Sequence, residues 1–105
     1  MKNSVNILKA IKSLVEERDS SAKIYLYGSR ARGNAKKDSD WDLLILLNKD
    51  QITFEIENSI TDPLYDLEFE TGEIISPMIY SLKEWNTKYS ITPFYKNIMK
   101  DSQYL

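Results

Sequence analysis

Apolar residues recur at helical spacing at the start of the chain: Val5, Leu8, Ile11 and Val15, joined by Ile7 and Leu14. Intervals of three and four put them on one face, so residues 4–18 are predicted as an amphipathic helix, with Asn3 or Ser4 as cap. "KIYLYG" (23–28) is short, β-branched and aromatic, and ends in glycine, which reads as a first strand. "DLLILL" (42–47) is apolar at consecutive positions, the pattern of a central strand covered on both sides. Asn48 to Asp50 end it.

The next stretch admits two patterns. Ile52, Ile56, Ile60, Leu64 and Leu67 form one long helical stripe, with Gly72 as a stop and Pro63 expected to bend or restart the helix near Asp62. Tyr65, Leu67 and Phe69 also alternate with Asp66, Glu68 and Glu70, so Thr71-Gly72 can be read as the turn of a hairpin. The helix is favoured because its stripe is longer. "EIISPMIYS" (73–81) reads as a strand, and Pro77 makes it an edge strand or a bulge. Ser81-Leu82-Lys83-Glu84 is a capping box that opens a short helix through Trp85. Thr92-Pro93 starts a last helix carrying Phe94, Tyr95, Ile98 and Met99. The elements add up to a small sheet covered by helices, of the α+β class, in a single domain spanning residues 1–105.

Composition narrows the chemistry. The chain has 105 residues, 42% hydrophobic and 29% charged, which is globular rather than disordered. Its net charge of -2 argues against broad nucleic-acid binding. No apolar run approaches a membrane span and no signal peptide is evident, so a cytoplasmic protein is expected. There is no cysteine and no histidine, which removes disulfides, thiolate chemistry, imidazole bases and histidine-ligated zinc. Any metal is then held by oxygen, which selects hard cations such as magnesium, calcium or manganese.

The candidate chemistry lies in "YGSRARGNAKKDSDWDLLILL", residues 27–47. Asp40 and Asp42 lead into the aliphatic strand and point to the same side, with Cα atoms about 7 Å apart. Two carboxylates at that spacing can converge on one cation; without it they repel. Trp41, between them, faces away and packs. Gly28 ends the neighbouring strand and allows a sharp turn and close approach of a ligand. Ser29 offers a hydroxyl and a backbone N–H at the head of a short helix, "SRARG", and Arg30 and Arg32 add positive charge. One element suits phosphate and the other a divalent cation, together a metal-bound triphosphate. Taken singly, each feature is more often a turn, a solvated acidic pair or a solvated basic loop. The conjunction is what carries the reading.

"GSRARGNAKKDSDWD" resembles, without a gap, the Gly-Ser, ten residues, Asp-x-Asp pattern of the polymerase-β-like nucleotidyltransferase superfamily. The finer string Gly-Ser-Arg-Ala-Arg-Gly with Ser-Asp-x-Asp-Leu is similar to its minimal nucleotidyltransferases, often the antitoxin halves of bacterial toxin–antitoxin pairs. The resemblance implies a small mixed β-sheet with helices packed mainly on one face. It implies that Gly28 and Ser29 hold a nucleoside triphosphate and that Asp40 and Asp42 bind Mg²⁺. The activity implied is transfer of a nucleoside monophosphate to an acceptor hydroxyl with release of pyrophosphate. The partner implied is an all-helical protein of the HEPN class; a homo-oligomer is the other expectation, and nucleic acid enters only as an acceptor.

The family usually carries a third carboxylate on a later strand, as general base. In residues 73–81 Ser76 stands about where it is expected, and Glu73 is the nearest acid. If residues 64–70 form a hairpin, Asp66, Glu68 or Glu70 faces the site instead. Three readings follow: a competent nucleotidyltransferase, a degenerate member acting as a binding antitoxin, or an unrelated oxygen-ligand metal or phosphate module. Seven large aromatics, among them Trp85, Tyr89, Phe94 and Tyr95, also suggest that residues 85–105 offer an aromatic surface to a partner or a second copy.

Overall fold

The computed structural model describes residues 4–105, with side chains from Ile7 onward. Helix α1 (Ser4–Arg18) starts at Ser4, and the alternative cap, Asn3, lies outside the described residues. It is followed by β1 (Lys23–Tyr27), the one-turn helix α2 (Ser29–Arg32), β2 (Trp41–Leu47), α3 (Phe54–Thr71), β3 (Ile75–Ser81), α4 (Leu82–Thr87), α5 (Pro93–Asp101) and β4 (Gln103–Tyr104). None of these helices is long and apolar enough to cross a membrane.

The four strands form one mixed sheet in the order β3-β2-β1-β4. β1 runs antiparallel to β2 and to β4, whereas β2 and β3 are parallel, with α3 as the crossover between them. Strand β2 is therefore central, as its unbroken apolar run requires, and Leu43 to Leu47 are all buried. Leu43, Ile45 and Leu47 pack with Ile11, Val15, Ile60 and Leu64 under α1 and α3. Leu44 and Leu46 pack on the other face with Trp85 and Ile98 of α4 and α5. The two long helices thus share one face, and the short C-terminal pair covers part of the other.

Residues 54–71 are helical, which resolves the helix-or-hairpin ambiguity. The Thr53 hydroxyl accepts the Ile56 N–H at the start, and Gly72, at φ 75°, closes the end with its N–H donating to Glu68 O. The helix runs through Pro63 instead of restarting there. An interior proline costs about 3 kcal/mol. Fully burying Ile60 and Leu64 on either side of it contributes about 1.5–3 kcal/mol each, so packing wins. β3 lies at the sheet edge, where Pro77 removes no ladder donor that a second neighbour needs. The serine half of the capping box is formed, with Ser81 Oγ accepting from Glu84 N. Strand β4 has two residues and pairs Tyr104 with Tyr25.

The C-terminal aromatics divide between the second core and the surface. Trp85 is fully buried, with the rings of Tyr80, Tyr89, Phe94 and Tyr95 at 5.1–6.1 Å. Trp85, Tyr89 and Tyr95 of the segment expected to offer an aromatic surface thus belong to the second core, whereas Phe94 and Tyr104 remain exposed.

Candidate functional site

Register brings the candidate residues to one end of the sheet. Asp42 sits opposite Tyr27 on β1 and Ser76 on β3. Residues paired across a sheet point to the same face, so Tyr27, Asp42 and Ser76 share the face that carries α4 and α5. Asp40, one residue before the strand, joins them: Ser76 Oγ donates to Asp40 Oδ2 at 2.9 Å. Trp41, between the aspartates, faces the other core and is buried.

Gly28 closes the cluster from β1. Its φ of 78° and ψ of -161° lie in a region essentially reserved for glycine. A Cβ there would also run into the Asp42 carboxylate, approaching Oδ2 most closely and Cγ to 3.2 Å. The sequence suggests that this glycine makes room for a ligand; the structure shows it making room for Asp42. Ser29 follows at the head of α2, whose first turn has no side-chain cap.

The electrostatics are those of a partly compensated acidic pair. Burial, then the nearby Asp40 charge, push the Asp42 carboxyl above its usual range, and Arg32 offsets part of the rise. Burial and the Asp42 charge raise the Tyr27 phenol to about 12, with a smaller contribution from Tyr80. A hard divalent cation fits this site: its donors are all oxygen, and the cation would remove the repulsion that raises Asp42.

Arg30 is not in the cluster. Its guanidinium lies 4.1 Å from the centre of the Trp41 ring, donates to Ser39 O at 3.0 Å and Lys37 O at 3.3 Å, and stands 3.8 Å from Glu73 Oε1. Glu73 Oε1 accepts the Trp41 indole N–H at 2.7 Å. Arg30, Trp41 and Glu73 thus clamp the loop before Asp40 from the opposite side of the sheet. Among the sequence-derived candidates, Gly28, Ser29, Asp40, Asp42 and Arg32 are brought together, and Arg30 is turned away.

The same geometry disposes of the substitutes for a third carboxylate. Glu73 is held by Trp41 on the wrong face. Glu68 Oε2 accepts from the Ile75 backbone N–H. Asp66 and Glu70 are exposed on α3 and line a groove against Ala10, Ser13 and Leu14 of α1. Among the described residues, no group of three acidic side chains is placed to hold a metal. Tyr27 is the neighbour that sequence reasoning missed; its place beside Asp42 depends on the β1–β2 register, which no local pattern announces.

A mixed sheet with an acidic pair set against a glycine turn defines a small α+β protein suited to a polyphosphate and a hard cation. Residues 7–105 match the family model described as the nucleotidyltransferase domain, and the chain belongs to that family. A comparison with curated proteins finds no match. Nucleotidyltransferase domains carry out nucleotidyl transfer, generally from a nucleoside triphosphate with a divalent metal.

Proposed function

We propose that this chain binds one nucleoside triphosphate, with ATP as the first candidate, together with a single Mg²⁺, and that by itself it transfers the nucleotidyl group slowly. The observation behind this is the cluster of Asp40, Asp42 and Gly28 with Ser76 and, among the described residues, no third acid beside it. Asp40 and Asp42 would hold the ion, which when bound neutralises triphosphate charge. Ser29 would donate its hydroxyl and N–H to a phosphate, and the exposed Arg32 would add a cation at the same edge. Ser76 would orient Asp40 through its hydrogen bond.

Transfer requires an acceptor oxygen to attack the α-phosphorus while the bond to the β-phosphate breaks and pyrophosphate leaves. The acceptor proton needs a base, and Ser76 is not one at neutral pH. Lacking general base catalysis costs about 10²–10⁴-fold in rate. Two carboxylates also balance one divalent ion, whereas the two-ion arrangement of phosphoryl-transfer sites draws on a larger donor set. The acceptor is proposed to be a hydroxyl on a partner protein of the helical, HEPN type, in an antitoxin-like pairing in the cytoplasm. The serine at the expected base position supports a second emphasis, that nucleotide binding rather than turnover is the working property.

Calorimetry with ATP is the test. Binding should require Mg²⁺, disappear in EDTA and disappear in Asp42→Asn. Equal affinity in EDTA refutes the metal assignment, and fast labelled-AMP transfer by the unaltered chain refutes the missing base.

A further inference from the structure

We propose that the outer face of α3 and the exposed face of α4–α5 are the two halves of a head-to-tail contact between copies of this chain. Three aromatics on α3 stand in solvent: Phe54 is 77% exposed, Tyr65 49% and Phe69 93%. At 100° per residue they fall within about 60° of one another and form a stripe about 22 Å long. Beside it run the exposed acids Glu55, Asp62, Asp66 and Glu70. The helix holds no lysine or arginine.

The C-terminal helices show the complementary pattern. Ile91 is 80% exposed and Phe94 43%. Lys83, Lys88, Lys96 and Lys100 of the same segment are exposed, whereas its acids, Glu84 and Asp101, are half-buried. One patch is apolar with an acidic flank, and the other lies on a segment whose exposed lysines outnumber its half-buried acids, in a chain whose net charge is only -2. Complementary charge of this kind selects a partner and favours one orientation. The acidic flank repels nucleic acid and anionic lipid, so the α3 aromatics need a basic protein surface, and this chain carries one.

The two patches lie on opposite faces of the sheet, since α3 packs over Leu43 and Ile45 and α4–α5 over Leu44 and Leu46. A twofold dimer joining both patches at once is therefore excluded, and the contact is heterologous. A stripe one helix wide is well short of the roughly 800 Å² per partner of a stable interface, so association is weak and depends on concentration. Its complementary charge makes it weaken with salt. None of this depends on Asp40 or Asp42.

Light scattering and sedimentation of the full chain over a concentration series, at low and high salt, test the proposal. The unaltered chain should self-associate at low salt and dissociate at high salt. Phe69→Ser and Ile91→Ser, each exposed and so expected to fold, should each weaken self-association by roughly tenfold or more. Mixed together they should form a heterodimer that grows no further, because each supplies the patch the other lacks. Tyr65→Ser and Lys96→Glu serve as the same pair if either variant melts early. A strictly monomeric chain at its solubility limit in low salt overturns the proposal. So does a mixture that stays monomeric while the unaltered chain associates, or α3 captured only by an unrelated basic protein.

Discussion

Gly28→Ala separates the structural from the functional use of the glycine turn. At φ 78° and ψ -161° an alanine occupies a region essentially closed to residues with a Cβ, at a cost of about 1–3 kcal/mol. A domain of this size loses roughly 4–8 °C of Tm per kcal/mol, so a drop of several degrees at least is expected. The new Cβ also meets the Asp42 carboxylate, with Cγ at 3.2 Å and Oδ2 nearer still. The carboxylate must swing away, and metal-nucleotide binding should fall far more than stability does. Gly72→Ala is the matched control. Its φ of 75° imposes a comparable left-handed penalty of about 1–2 kcal/mol, yet a Cβ there meets nothing within 4 Å. Paired thermal melts and Mg²⁺–ATP calorimetry should show Gly72→Ala losing stability alone and Gly28→Ala losing both. Gly28→Ala binding nucleotide as tightly as Gly72→Ala would refute the idea that the turn exists to seat Asp42.

Asp42→Asn should raise Tm at neutral pH in EDTA. Because burial and Asp40 raise the carboxyl's pKa in the folded state, its favourable share of stability is present below about pH 3.9 and is lost as pH rises through the raised value, so the gain from asparagine should vanish in acid. Ser76→Asp should bind a second Mn²⁺ per chain, read by metal titration, and raise labelled-AMP transfer; unchanged stoichiometry and rate would count against Ser76 as the vacated base position. Ser29→Ala should weaken nucleotide binding by about 1.5–3 kcal/mol, the worth of a hydrogen bond to a charged group. Arg30→Ala should weaken metal-nucleotide binding through the loop it clamps, and Arg30→Lys should restore less than half of the loss, since lysine cannot stack flat on Trp41 while reaching two carbonyls; full rescue by lysine would show that only charge matters.

Local signals carried most of the fold because they are short-range. The α1 stripe, the α3 stripe with its Gly72 stop, the Ser81 box and the edge character of the Pro77 strand all follow from residues within a turn or two of one another. What escaped has longer reach. The helix through Pro63 is decided by Ile60 and Leu64 packing on α1 and β2, which no window around the proline contains. β4 is too short to show alternation, and it exists because Tyr104 and Leu105 pair along β1. At the site, the same-face placement of Asp40 and Asp42 was legible from strand periodicity. The roles of Arg30 and Glu73 were not, because charge alone does not say which side of the sheet a long side chain takes. Trp41 decides that, by giving one a ring to stack on and the other an N–H to accept.

The central strand shows why the fold does not depend on an acid at position 76. Trp41, Leu43, Ile45 and Leu47 fill one core, Leu44 and Leu46 the other, and only the end at Asp40 and Asp42 is open to charge. A third carboxylate at position 76 would stand beside Asp42 in register and against Asp40, where like charge already raises Asp42. Serine there replaces a repulsion with a hydrogen bond to a charged oxygen, worth about 1.5–3 kcal/mol. The catalytic cost of losing a base is about 10²–10⁴-fold, or roughly 2.7–5.5 kcal/mol of barrier. The two quantities are comparable, but they are felt at different times. The hydrogen bond stabilises the chain whenever it is metal-free, and the barrier matters only during turnover. Ser76 therefore disadvantages a chain whose task is fast transfer and favours one whose task is to hold a metal-bound nucleotide, which is why the proposal rests on binding first and transfer second.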